Sequence, residues 1–177
     1  MRVIAGKYGG RPLKTLPGST TRPTTDKVKG AIFNMLGGNF DGGVALDLYA
    51  GSGALAIEAV SRGCNSAVLV ERDRKAQEII VANLAMTKEP EKFQLLKMEA
   101  KPALQRLTTK FDLVFLDPPY AQEQIAKDIK QLLPLTNDNT KIICETDKAV
   151  TLPERIGPLN IWKQKTYGIS KITIYSA

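Results

Sequence analysis

From Val44 onward the chain alternates short apolar runs with stretches of helical period, and this alternation restricts the fold more than any other feature. "VALDLY" precedes a helix expected over about 53–62, and "SAVLVE" one over about 73–86. "KFQLLKM" precedes a short helix near 100–107, and "FDLVFL" one near 122–133. "TKIICE" then leads into "LNIWKQKTYGISKITIY", which reads as a closing hairpin around Tyr167-Gly168. Apolar strands joined by helices bury both faces of a parallel sheet beneath those helices. The predicted fold is therefore α/β: a doubly wound, mostly parallel, seven-stranded Rossmann-like sheet with an antiparallel last strand. Residues 1–43 form a small basic β-hairpin and helix extension in this reading, and residues 44–177 a single unit. The extension's helix should start near Thr24 or Thr25, carry Val28, Ala31, Ile32 and Met35 on its apolar stripe, and stop at Gly37-Gly38.

Composition narrows the chemistry. At 177 residues the chain has the length of one domain with a real core. No apolar run approaches the roughly 20 residues a membrane span needs, and the opening "MRVIAGKYGGRPLK" does not resemble an export signal. There is no histidine, which excludes histidine acid–base chemistry and makes a nitrogen-and-sulfur metal site an unattractive reading. Cys64 and Cys144 stand far apart and are expected to fill apolar space in the reducing cytoplasm. The net charge of +7 is concentrated at the front, where residues 1–43 hold seven bases against two acids. Such asymmetry suits contact with a polyanion, although a merely soluble basic surface has the same composition.

In doubly wound sheets ligands bind beyond the carboxyl ends of the strands. Asp47, Gly51 and Gly53 join the first strand to its helix, and Gly51-Ser52-Gly53-Ala54-Leu55-Ala56 fits the dinucleotide pattern GxGxxA. Glu71, 20 residues after Gly51, is placed to accept ribose hydroxyls, and Glu99 after the third strand to meet an adenine amine. Nicotinamide dinucleotides and S-adenosylmethionine both carry such a ribose. Asp47 separates them, because a carboxylate in the glycine loop repels a pyrophosphate and suits an ammonium and a sulfonium.

Asp117-Pro118-Pro119-Tyr120 breaks off the most apolar strand. Two prolines delete two backbone donors and stiffen the segment, leaving the Asp117 carboxylate, backbone carbonyls and one aromatic plate. An acceptor-only notch with a flat wall complements the exocyclic amine of a nucleobase. Two acceptors can hold the amine close to tetrahedral, turn its lone pair toward an electrophile and stabilise positive charge growing on nitrogen.

These motifs resemble those of class I S-adenosylmethionine-dependent methyltransferases of the Asp-Pro-Pro-Tyr, amino-methylating kind. The opening "RVIAGKYGGRPLKT", with "TRPTTDKVKGAIFNML" and the closing "YGISKITIY", resembles more narrowly the bacterial small-subunit rRNA guanine-N2 methyltransferases (RsmD type). The resemblance implies transfer from S-adenosylmethionine to a guanine N2 in 16S rRNA, within the 30S subunit or its assembly intermediate. It implies that Asp117, Pro118, Pro119 and Tyr120 hold the guanine. Asp47, Tyr49, Ala50, Gly51 and Gly53 would bind the donor, with Glu71, Arg72, Glu99 and Ala100, and Arg22 and Thr24 flanking that pocket. Lys7, Tyr8, Arg11, Lys14 and Arg22 would face RNA. The family usually has Asp where Glu99 stands, and arginines are common where Lys27 and Lys29 stand. A monomeric, metal-free cytoplasmic enzyme is expected. The alternatives are a DNA adenine-N6 or cytosine-N4 methyltransferase, a nicotinamide-dependent oxidoreductase, and a non-catalytic RNA-binding module. Trp162 is expected to pack the last hairpin.

Overall fold

The structure is a computed structural model that describes residues 1–17 and 25–177. Helix α1 (Asp26–Met35) opens at Thr25, whose hydroxyl accepts the Val28 N–H at 3.2 Å, and closes where Gly37 and Gly38 turn left-handed. Then follow β1 (Val44–Asp47), α2 (Ala54–Ser61), β2 (Ser66–Val70), α3 (Arg74–Met86), β3 (Phe93–Leu96), α4 (Ala100–Arg106), β4 (Phe111–Leu116) and α5 (Ala121–Leu132). The chain ends in β5 (Thr136–Asp147), β6 (Arg155–Ile156), β7 (Leu159–Tyr167) and β8 (Ser170–Ser176).

All the strands join one sheet in the order β3-β2-β1-β4-β5-β8-β7-β6. β1 to β5 are mutually parallel, and β8 is antiparallel to both β5 and β7. The seven expected strands are present, and the sheet gains an eighth, the two-residue β6, which pairs with Leu159 and Asn160. Two residues are too few to leave an alternation in the sequence. The last strand also sits inside the sheet, between β5 and β7. β2 and β4 flank β1 on opposite sides, so the crevice at the switch point opens above the carboxyl ends of β1 and β4.

Side chains of period two sort onto two faces. On one, Ala45, Leu69, Phe115, Ile143, Ile172 and Ile174 pack with Ile32, Phe33, Ile57 and Ile80 of α1, α2 and α3. On the other, Leu46, Val68, Val114, Leu116, Ile142 and Tyr175 pack with Ala103, Leu104, Ile125 and Ile129 of α4 and α5. Val3, Tyr8 and Leu13 of the N-terminal segment join the first cluster.

The expected N-terminal hairpin reduces to one antiparallel bridge, Arg2 to Pro12, supported by Val3 N–H to the Arg11 carbonyl at 2.9 Å and Leu13 N–H to the Met1 carbonyl at 2.8 Å. Pro12 has no N–H to extend the ladder. The segment is held on α2 instead. The Glu58 carboxylate accepts the N–H groups of Ile4 (2.9 Å) and Ala5 (3.1 Å), and the Ser61 carbonyl accepts the Lys7 N–H at 2.8 Å. Gly6 is indispensable there: a Cβ would lie 1.9 Å from the Ser61 carbonyl oxygen, and its φ is +86°.

Candidate functional site

Acids follow from the strand faces. Two residues beyond Ala45, Leu69, Phe115 and Ile143, all on the α1–α2 face, stand Asp47, Glu71, Asp117 and Glu145. Four adjacent parallel strands, β2, β1, β4 and β5, thus end in carboxylates on one side of the sheet. Asp47 is 3% exposed and accepts the Ala56 N–H at 3.3 Å, in the first turn of α2. Burial holds its carboxyl well above the usual carboxylate range. The Ala56 hydrogen bond opposes that shift, and the neighbouring charges of Glu71, Asp117 and Glu145 add to it. Glu145, itself buried and acting on Asp47 through its charge, joins these acids, and the motif reading missed it. Its signal was available, since it closes the fifth apolar run as the other acids close theirs. Among the described residues no group of acids or cysteines is arranged to hold a metal ion.

The glycine loop is braced from two sides. The Glu71 carboxylate accepts the Gly51 N–H at 2.9 Å and the Asp73 N–H at 2.8 Å, so this acid shapes the loop as well as facing the crevice. Gly51 is left-handed (φ +59°), and a Cβ there would meet nothing within 4 Å, which leaves the space before it open to a ligand. Gly53 differs: its Cβ would press Leu69 at 3.0 Å, so it serves close packing at the start of α2. Ala50 is buried, and its N–H pairs with the Val70 carbonyl at 3.0 Å. Behind the loop, the buried Asn83 amide donates to the carbonyls of Ser52 (2.8 Å) and Lys14 (3.0 Å) and accepts the Lys14 N–H (2.9 Å). Asn83 therefore ties glycine loop and N-terminal segment to one point on α3.

Tyr49 is placed by α5. Its hydroxyl donates to Asp128 at 2.5 Å, and burial together with that carboxylate raises its pKa and keeps it protonated. Arg72 and Glu99 come together as an exposed pair at 3.7 Å, with Glu99 at the N-terminus of α4 and Ala100 as that helix's first residue. The adenine-facing role expected of Glu99 competes with this pairing.

After β4 comes the Asp117-Pro118-Pro119-Tyr120 segment. Asp117 is half-buried, Pro118 buried and Pro119 exposed, while Tyr120 is 76% exposed at the start of α5. The Tyr120 carbonyl accepts the Gln124 N–H at 2.9 Å, which fixes the backbone and leaves the ring outside.

Among the N-terminal residues expected to face RNA, Tyr8 needs correction. Tyr8 is 1% exposed and its hydroxyl donates to Glu89 at 2.8 Å, so its ring packs the core and cannot stack on a base. Lys7 pairs with the same Glu89 at 2.6 Å. Arg11 donates to the Thr87 carbonyl at 3.0 Å, at the C-terminal end of α3, and lies over the Tyr8 ring. The side chain of Lys14 is exposed. Arg22 and Thr24 lie outside the described residues.

Comparison with known proteins accords with this geometry. The family described as Conserved hypothetical protein 95 matches residues 1–176. A Bacillus subtilis relative bearing the name "Putative rRNA methyltransferase YlbH" is 43% identical, over 99% of this chain and 98% of its own. Ribosomal RNA small subunit methyltransferase D of Haemophilus influenzae is 33% identical over 99% of this chain and 93% of its own. A solved structure of a conserved hypothetical protein from Streptococcus pyogenes is 59% identical and superposes with a TM-score of 0.81, covering 84% of this chain and 94% of that one. With crevice, acid-ended strands and near-full-length matches in agreement, the chain belongs to the Conserved hypothetical protein 95 family, the RsmD-type methyltransferases.

Proposed function

We propose that this protein transfers a methyl group from S-adenosylmethionine to the exocyclic N2 amine of a guanine in small-subunit ribosomal RNA. It does so in the cytoplasm, as a monomer acting on 16S rRNA in the 30S subunit or its assembly intermediate. One observation carries the reading: Asp47, Glu71 and Asp117 end neighbouring strands on one face, with the exposed Tyr120 three residues beyond Asp117. The names of the relatives support RNA as the substrate class.

The residues present fit the donor. The open space before Gly51 admits a ligand against backbone, and the carboxylates at the strand ends complement an ammonium and a sulfonium. The same acids disfavour a pyrophosphate, and with it a nicotinamide dinucleotide. Glu71, with its geometry set by the Gly51 and Asp73 amides, is the ribose acceptor. When bound, S-adenosylmethionine would supply an electrophilic sulfonium methyl group, with the S–C electron pair left on sulfur and one N–H proton of the methylated amine released to solvent. Asp117 and the carbonyls of the Pro-Pro segment accept the two N–H bonds of the amine and stabilise positive charge growing on nitrogen. Tyr120 stacks on the base, which cuts the entropy of positioning. Residues 1–43 serve as an RNA-facing extension of the transferase unit 44–177, with Lys7 and Lys14 among its exposed cations.

The test is radiolabel transfer to small subunits lacking the modification, with the methylated base identified by mass spectrometry. Asp117→Asn should lower transfer by about 100-fold or more and leave S-adenosylhomocysteine affinity, measured by calorimetry, essentially unchanged. Transfer retained in this variant, or label on a base other than guanine, would overturn the assignment.

A further inference from the structure

The charge asymmetry of the sequence points at residues 1–43, yet the fold ties part of that charge to its own groups. Lys29 is fully buried against Glu58 at 3.2 Å, Lys7 is paired with Glu89, and Arg11 is bound to α3 carbonyls. Accessible cations gather in a second place as well. From Leu159 to the end, the chain carries Lys163, Lys165 and Lys171 and no acid. β7 is exposed along most of its length, and Lys163, Lys165 and Tyr167 pair with Ile174, Ile172 and Ser170 of β8. Paired residues share a face, so this stripe lies on the same side of the sheet as α1 and the four strand-end acids.

Aromatic groups are interleaved with the lysines. Trp162, the chain's single tryptophan, is 44% exposed, with Lys163 at 4.2 Å and Lys141 at 4.8 Å from its ring centre. Lys165 lies 5.4 Å from the Tyr167 ring. Among the described residues no carboxylate lies within ion-pair distance of Lys141, Lys163 or Lys165. β7 runs in the same direction as β5, because both are antiparallel to β8. Its Tyr167 end therefore reaches the edge of the sheet where Glu145 and Asp117 stand. There a cavity of about 380 Å³ opens between the Tyr167–Ser170 turn and Thr25, Lys27 and Val28 of the α1 entry. A second, of about 190 Å³, opens at the other end of α1 against Trp162 and Lys141.

We propose that the β7 stripe of Trp162, Lys163, Lys165 and Tyr167 is an RNA-contact surface that grips the phosphodiester backbone of a single-stranded segment leading to the reacting base. Lysines at alternate positions stand about 6.6 Å apart along a strand, and flanking rings offer stacking surfaces that tolerate any base. The inference rests on the proposed methyl transfer to RNA. Lysines on a poorly covered edge also guard against strand pairing between molecules. Charge reversal separates the two roles, since a glutamate guards an edge as well as a lysine does but repels phosphate.

The experiment compares wild type with the Lys165→Glu variant and with Lys163→Glu/Lys165→Glu. Lys163 also donates to the Met35 carbonyl at 2.9 Å, so the single variant keeps the test meaningful if the double one is perturbed. Binding to a protein-free oligouridylate of about twelve nucleotides and to unmodified small subunits is measured over a salt series, with Trp162 emission followed throughout. The double variant should bind about tenfold more weakly, and its log–log salt slope should fall by about 1.4 for two lost single-strand contacts. Trp162 emission should change at saturating RNA, and S-adenosylhomocysteine affinity should match wild type. Unchanged affinity and slope in both variants, or Trp162 emission that ignores RNA, overturns the surface. Weakened binding to subunits with unchanged binding to protein-free RNA assigns the stripe to a ribosomal protein and overturns it too. Wild type that transfers no methyl to rRNA breaks the functional reading instead.

Discussion

Glu58 and Asp47 are both buried carboxylates on the α1–α2 side of the sheet, and they are treated oppositely. Glu58 is answered at every oxygen: Lys29 at 3.2 Å, Arg62 at 2.8 Å, and the N–H groups of Ile4 and Ala5. Asp47 has the Ala56 N–H at 3.3 Å and feels three further carboxylates. Burying a charge is costly unless it is matched. A fully matched acid staples segments together, as Glu58 staples the N-terminal segment to α1 and α2. An acid whose carboxyl is pushed up by burial and like charge favours arrival of a cation, which is the signature of a binding site.

The comparison can be broken most severely at Glu58. Glu58→Ala strands Lys29 and Arg62 without their carboxylate and should cost about 3–5 kcal/mol of stability in denaturant unfolding. A loss under about 1 kcal/mol would mean the buried cluster does not staple the segment.

Asp47→Asn sharpens the other side. Removing the charge should weaken S-adenosylhomocysteine binding by about tenfold or more in calorimetry, the scale of one charged hydrogen bond. The same variant should melt higher than wild type when ligand-free. Burial raises the carboxyl's pKa in the folded state above its unfolded value, so the folded state binds the proton more tightly. Stability from this group therefore grows as pH falls from the raised value toward the ordinary one, and is lost as pH rises. Melts from about pH 8 to about pH 5 should show this slope in wild type and a flatter one in the variant. Equal melting behaviour would remove Asp47 from the set of strained acids.

The smallest effect is expected at Glu89, a half-buried counterpart of Glu58. Hydrogen bonds from Lys7 and then Tyr8 lower its pKa from 4.5 to about 2. A lowered acid contributes above its unfolded value and loses that contribution as pH falls to the folded one. Tyr8 ring resonances in NMR should shift between those two pH values in wild type and stay level in Glu89→Gln. A variant that titrates like wild type would show that the pairing does not hold the segment.

Much of the site was legible because its signals are local. Apolar runs carrying Asp47, Glu71 and Asp117 at their ends, the glycine loop and the double proline each report on a few neighbouring residues. Glu145 was legible by the same rule and was overlooked for want of a motif around it. Tyr8 was misread because an aromatic beside lysines in a basic segment looks the same whether it faces RNA or packs beneath α3.

By itself, then, the sequence determined the alternation of strands and helices, the side of the sheet that carries the acids, and the two missing backbone donors at Pro118-Pro119. These follow from hydrophobic period and from proline's missing N–H, properties that no distant residue alters. Tertiary structure alone decided which charges are spent and which remain available. Lys29 meets Glu58 across 29 positions and Lys7 meets Glu89 across 82, while Lys163 and Lys165 are left facing outward on β7. The order that inserts β8 between β5 and β7 was likewise decided by the fold. A charge's partner depends on what the assembled sheet brings within a few ångströms of it, and local pattern holds no record of that distance.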